Sequence, residues 1–275
     1  MGSWCEGVQQ RVSRTPEVVC ISRLDYHNNG DRASAPRNYH SWLQKYPEYD
    51  LTQVLPHQVE GKIAIVGGAG LLHPPFKRQL DMIAGEAEQV YLWGVGLNTH
   101  DERHDYEPLS WPIVQRSEMF GTRDHIATHH RTWHKDATTI GCPSVCHPFL
   151  ENPSEPIHDV VAYVHKDYHF PIENGIPAIT NSCEIDEALH FIAKGKTVIS
   201  SSYHGALWAS WMGREVIIPN PFSTKFYIGL KDDTVHYGNH TPTQLPNEKG
   251  RESYHSLLET HRVWASKIEA QIGGA

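Results

Sequence analysis

Residues 198–219 read VISSSYHGALWASWMGREVIIP, and this stretch decides the fold class. Val198 and Ile199 form a short apolar run. The polar turn Ser200-Ser201-Ser202-Tyr203 hands over to a helix that opens near His204 and Gly205 and carries Ala206, Leu207, Ala209, Trp211 and Met212. Gly213 is placed to stop that helix in the left-handed conformation, and Val216, Ile217 and Ile218 follow as a second buried strand ending at Pro219. A strand, a helix and a strand in this order belong to a parallel α/β sheet. In such sheets anionic ligands bind where the carboxyl end of a strand meets the amino end of the next helix, so His204 is the first candidate functional residue.

The same rhythm extends both ways. Upstream, Val160 to Val164 is a buried strand ending at His165-Lys166. Asn181, Ser182 and Glu184 open a helix with Ala188, Leu189 and Ile192 on one face, stopped near Gly195. Downstream, the loop from Asn220 to Phe226 places Lys225 just past a strand end. From about Arg251 to Ile272, Tyr254, Leu257, His261, Trp264, Ile268 and Ile272 recur at three- and four-residue spacing, which predicts an amphipathic C-terminal helix with a full packing face.

The first half repeats the pattern. Glu17 to Ile21 is a strand, followed by the turn-rich loop Asn28-Asn29-Gly30-Asp31 and a helix through Tyr39, Trp42 and Leu43. Lys62 to Val66 is a second strand running into Gly67-Gly68-Ala69-Gly70. A helix through Phe76, Leu80, Ile83 and Ala87 leads to the strand Val90 to Val95, which closes on Gly96. The glycine loop is not GxGxxG and no acidic residue follows at the required offset, so a dinucleotide site is not expected. Residues 98–108 are polar and predict a surface loop; Met119 to Arg123 predicts a short strand, with Asp124 capping a helix to Thr132. Pro143, Pro148, Pro153 and Pro156 punctuate a stretch without periodicity, the best candidate for an interdomain linker. The expectation is an α/β chain of two Rossmann-like domains, residues 1–150 and 151–275.

Composition narrows the function classes. A net charge of −8 argues against non-specific nucleic-acid binding. The five cysteines are scattered, and Cys142-x-x-x-Cys146 has no second pair at zinc spacing, so no metal and a reducing compartment are expected. The amino terminus has no apolar targeting core and no segment approaches a membrane span, which predicts a cytoplasmic protein with at most peripheral membrane association.

Several stretches, in order, match one family. Asn29-Gly30-Asp31, Val66-Gly67-Gly68-Ala69-Gly70-Leu71-Leu72, Trp93-Gly94-Val95-Gly96, Arg123-Asp124, Ser201-Ser202-Tyr203-His204-Gly205-Ala206, Gly213 and Lys225-Phe226 make the chain resemble the polysaccharide pyruvyl transferases. The resemblance implies two Rossmann-like domains facing a cleft, as in GT-B glycosyltransferases, with the first on the acceptor side and the second on the donor side. It implies transfer of the carboxyvinyl group of phosphoenolpyruvate to sugar hydroxyls of a glycan or lipid-linked sugar, forming a pyruvate ketal, with no cofactor beyond that donor. Many members carry an arginine where this chain has Ser202, so either Arg123, Lys225 or another base takes its place or the donor differs.

The implied roles follow from the chemistry. His204 is the acid/base candidate and Asp31 the carboxylate beside an oxocarbenium-like transition state. Arg123, Lys225, Ser201, Ser202 and Gly205 are candidates for the donor's anionic groups, while Asn29, Gly30, Gly67, Gly68 and Gly70 shape the cleft. A nucleotide-sugar glycosyltransferase and a non-catalytic glycan-binding scaffold are the alternatives.

Overall fold

A computed structural model of the chain describes residues 17–98, 110–124, 137–230, 235–243 and 246–273. They form two parallel sheets. The first contains β1 (Val18–Ser22), β2 (Glu48–Asp50), β3 (Ile63–Gly67), β4 (Gln89–Val95), β5 (Met119–Thr122) and β6 (Thr138–Thr139), in the order β2-β1-β3-β4-β5-β6. The second contains β7 (His158–Val164), β8 (Ala178–Thr180), β9 (Gly195–Ser200), β10 (Glu215–Ile218) and β11 (Val235–Tyr237), in the order β8-β7-β9-β10-β11. Each sheet therefore starts from an inner strand, steps outward once, then reverses. The reversals fall between β1 and β3 and between β7 and β9, and ligands bind in the crevice at such a switch point.

The helices are α1 (Asn29–Ala33), α2 (Pro56–Val59), α3 (Lys77–Glu86), α4 (Pro112–Gln115), α5 (Ile185–Ala193), α6 (Tyr203–Trp211), α7 (Lys225–Gly229) and α8 (Glu248–Gly273). Every residue of α6 is buried, as expected of a helix apolar on all sides. Ser202 caps it, its Oγ accepting from Gly205 N at 3.4 Å, and Gly213 follows with φ of 77°. The helix predicted from Arg251 is α8, and it serves both sheets. Tyr254 and Leu258 pack with Val198 and Val216, whereas Trp264, Ile268 and Ile272 pack with Val18, Ile63 and Trp93. Burying each of those large side chains is worth about 1.5–3 kcal/mol, so α8 is a strong tie between the two halves. Between its two patches, buried His261 accepts at Nε2 from Trp93 Nε1, 2.8 Å away.

Three local readings are corrected. Tyr39 to Leu43 form no α-helix: Tyr39 caps the 3-10 turn Pro36–Asn38 and Ser41–Leu43 is a second such turn, because the segment lacks a continuous 3.6-residue apolar stripe. Asn28 to Asp31 is not a loop: Asn28 is the N-cap position of α1 and Asp31 lies in its first turn, where a carboxylate favours helix. Lys225 opens α7 rather than sitting in a loop. The proline-rich connection read as an interdomain linker holds two 3-10 turns in which Pro143, Val145 and Leu150 are buried. The predicted loop at 98–108, apart from Asn98, and the predicted helix beyond Asp124 lie outside the described residues.

Candidate active site

The carboxyl ends of both sheets meet at one cavity of about 250 Å³. From the first switch point come Arg23 and Asp25 after β1 and Ala69, Gly70 and Leu71 after β3. From the second come His165 and Tyr168 after β7 and Ser202, Tyr203 and His204 after β9. Of the candidates drawn from the sequence, Asp31, Arg123, His204, Lys225, Ser202 and Gly70 line this space.

The others stand behind the wall. Asn29 is a seam residue: its Oδ1 accepts from Tyr163 OH at 2.8 Å, its N–H donates to Asn181 O at 3.0 Å and its Nδ2 to Cys183 O at 3.2 Å. Gly30 is where α1 touches α6, because a Cβ there would overlap the His204 ring. A Cβ on Gly67 would meet Pro36, and on Gly68, with φ of 69°, Ser34 O. Gly205 makes room for Tyr163. Ser201 Oγ accepts from His165 N at 2.9 Å and donates to Tyr168 O at 2.5 Å, so it shapes the loop after β7 without lining the cavity.

His204 is buried, and its Nε2 lies 3.0 Å from Ser34 Oγ. Ser34 Oγ gives its own proton to Gly30 O at 2.7 Å, so it accepts from His204, which places the imidazole hydrogen on Nε2. Burial first, then the charges of Arg123 and Lys225, hold the pKa well below its ordinary value, so the imidazole is neutral. Asp31 behaves differently. Its carboxyl accepts from Asn28 Nδ2 at 3.1 Å and borders the cavity, and burial lifts its pKa to about 6 even against the pull of Lys225, Arg123 and Arg23.

The cations come from both sheets. Arg123, at the end of β5, lies over the Tyr203 ring at 4.4 Å and pairs with Asp124 at 3.5 Å. Lys225 Nζ lies 4.8 Å from the Phe222 ring centre, and desolvation followed by Arg123 lowers its pKa to about 8. Arg23 and Lys166 border the same space but are paired with Asp50 and Asp167, at 2.8 and 2.7 Å. At the rim, Tyr168 and Phe222 stack with ring centres 3.6 Å apart and planes at 5°. Sequence reasoning missed Arg23, His165, Tyr168 and Phe222 as site residues. The position of each just beyond a strand was the available signal.

No family model matches the chain, and no curated protein matches it. Among solved structures, a functionally uncharacterized protein of Klebsiella pneumoniae is similar with a TM-score of 0.56 at 14% identity, over 82% of this chain and 94% of that one. A protein of Listeria monocytogenes, provisionally assigned as a UDP-N-acetylglucosamine 2-epimerase, is similar with a TM-score of 0.55 at 10% identity, over 95% and 98% of the two chains. At these identities the likeness is one of fold, and the fold is GT-B-like: two parallel α/β sheets whose carboxyl ends converge.

Proposed function

We propose that the chain is a glycan-modifying transferase of the GT-B type that moves the carboxyvinyl group of phosphoenolpyruvate onto two sugar hydroxyls. One observation carries this reading. Arg123 from the first sheet and Lys225 from beyond the second face one small cavity beside an acid of pKa about 6. A space of about 250 Å³ is below the usual range for drug-sized ligands, about 300–1,000 Å³, and suits a compact dianion better than a nucleotide sugar. Arg123 and Lys225 supply the positive charge that the family's arginine would bring at Ser202, whose own side chain is spent on capping α6.

In the reaction, the two hydroxyl oxygens bond to the central carbon of the donor and its bond to the phosphate oxygen breaks. One hydroxyl proton ends on the methylene carbon and the other on the released phosphate. Asp31, which borders the cavity, is the proton carrier, and its carboxylate also offsets positive charge developing on the central carbon. His204, neutral and tied to Ser34, holds α1 against α6; a bound dianion would cancel the field of Arg123 and Lys225 and return proton affinity to the ring.

A second reading, a nucleotide-sugar transferase, rests on the stacked Tyr168–Phe222 pair, a face on which a base can lie. The deciding test is thermal stabilisation of the full chain by phosphoenolpyruvate and by a panel of nucleotide sugars, followed by phosphate release with acceptor glycans. Stabilisation by phosphoenolpyruvate is expected; stabilisation by a nucleotide sugar alone would overturn the pyruvyl reading.

A further inference from the structure

A second cluster lies at the edge of the other end of the chain, on β10 and β11, where none of its residues borders the cavity described above. We propose that Glu215, His236 and His240 form a binding site for a divalent transition-metal ion of the zinc class. Glu215 opens β10 and is fully buried; His236 lies in β11, and His240 follows four residues later in the adjoining loop. His236 Nε2 stands 3.5 Å and His240 Nε2 3.8 Å from the same carboxylate oxygen, Oε1. The three ligand atoms all lie within 4.8 Å of one another. Zinc bonds of about 2.0–2.1 Å in a tetrahedron put neighbouring ligand atoms about 3.3 Å apart, so the two carboxylate–imidazole distances need to shorten by only a few tenths of an ångström. The spacing His236-x-x-x-His240 also lies within the range used by zinc-binding histidine pairs.

The surroundings hold the carboxylate as an outer shell holds a metal ligand. Thr197 Oγ1 donates to Oε2 at 2.6 Å, and Thr243 Oγ1 donates to Oε1 at 2.6 Å. The Thr243 N–H is shared between both oxygens at 3.0 Å each, so it can settle on Oε2 when Oε1 takes a metal. The two imidazole rings are stacked, 3.7 Å between centres at 12°, and would turn about their side-chain torsions to aim both Nε2 lone pairs at one ion. His240 borders a groove of about 460 Å³, which leaves a fourth coordination position for water. Bound metal would clip the 239–243 loop to the sheet edge.

The test uses the full chain freed of metal by a chelator, then titrated with Zn²⁺ against a chromophoric chelator and, separately, with Co²⁺. One tight equivalent, tetrahedral Co²⁺ absorption and a Zn²⁺-dependent rise in Tm are expected. His236→Ala with His240→Ala should weaken binding by more than about 100-fold, the loss that outer-shell changes alone can reach. Replacing His57, exposed and remote from the cluster, should change nothing. His240→Ala alone, at a solvent-accessible position, reports on the site if the double variant does not fold. Zn²⁺ affinity equal in the wild type and in His240→Ala, or an octahedral Co²⁺ spectrum, overturns the proposal.

Discussion

The imidazole of His204 packs directly on the backbone of Gly30, with no space between them for a Cβ. That contact joins the first turn of α1 to the first turn of α6, and so joins the switch points of the two sheets. It brings together a glycine and a histidine 174 positions apart in the sequence (204 − 30).

Gly30→Ala tests this contact. In an open helix the change would stabilise by about 0.5–1 kcal/mol. Here the added Cβ overlaps His204, and overpacking of this kind costs about 1–3 kcal/mol. Urea unfolding should therefore show a net loss of stability. Combined with His204→Ala, the cost should shrink, giving a coupling energy in a double-mutant cycle. Additive effects would mean that the two residues do not meet.

Asp31→Asn should separate stability from activity. The folded-state pKa of Asp31, about 6, lies above the ordinary aspartate value of 3.8. Its ionised form is thus disfavoured by folding: no penalty exists below roughly pH 4, and the penalty grows as the pH rises through 6. The variant should be more stable than the wild type at pH 7, by on the order of 1 kcal/mol after allowance for solvent screening, and equal to it near pH 4. Phosphate release should be lost at both pH values. A stability difference that does not vary with pH would contradict the assignment.

Lys225 sets an alkaline limit on anion binding. With its pKa lowered to about 8, it loses its charge above that pH, well before an exposed lysine would. Affinity for phosphoenolpyruvate should fall between pH 7 and pH 9, and Lys225→Met should remove the pH dependence. Loss of one charge-assisted hydrogen bond is worth about 1.5–3 kcal/mol, or roughly 10- to 150-fold in Kd by calorimetry at pH 7.

Ser202→Ala isolates the cap. Its Oγ accepts from Gly205 N, so the variant should lose about 1 kcal/mol of stability. Since the residue's polar atom is used inside α6, donor affinity should change little. A tenfold fall in affinity with unchanged stability would instead make Ser202 a donor ligand.

Much of this fold is written locally. The strands Val18–Ser22, Ile63–Gly67, Gln89–Val95, His158–Val164 and Glu215–Ile218 each contain a buried apolar run, such as Val160–Val164 or Val216–Ile218, and apolar continuity identifies that run without any partner. The spacing in α8 and the Ser202 and Gly213 boundaries of α6 are equally local. The strands of two or three residues, β2, β6, β8 and β11, carry no such signal, because pairing with a longer neighbour is what makes them strands.

At the site, the sequence by itself determined which residue types stand in the segments that follow the strands: an acid at 31, bases at 123 and 225, a histidine at 204. Only the tertiary structure decided what each does. Asn29, Gly30 and Asp31 are consecutive, yet one bonds across the seam, one makes room for an imidazole and one faces the cavity. The shifts that keep His204 neutral and lift Asp31 arise from desolvation and from charges brought in by distant segments. Burial and proximity are properties of the packed chain, so no local pattern can encode them.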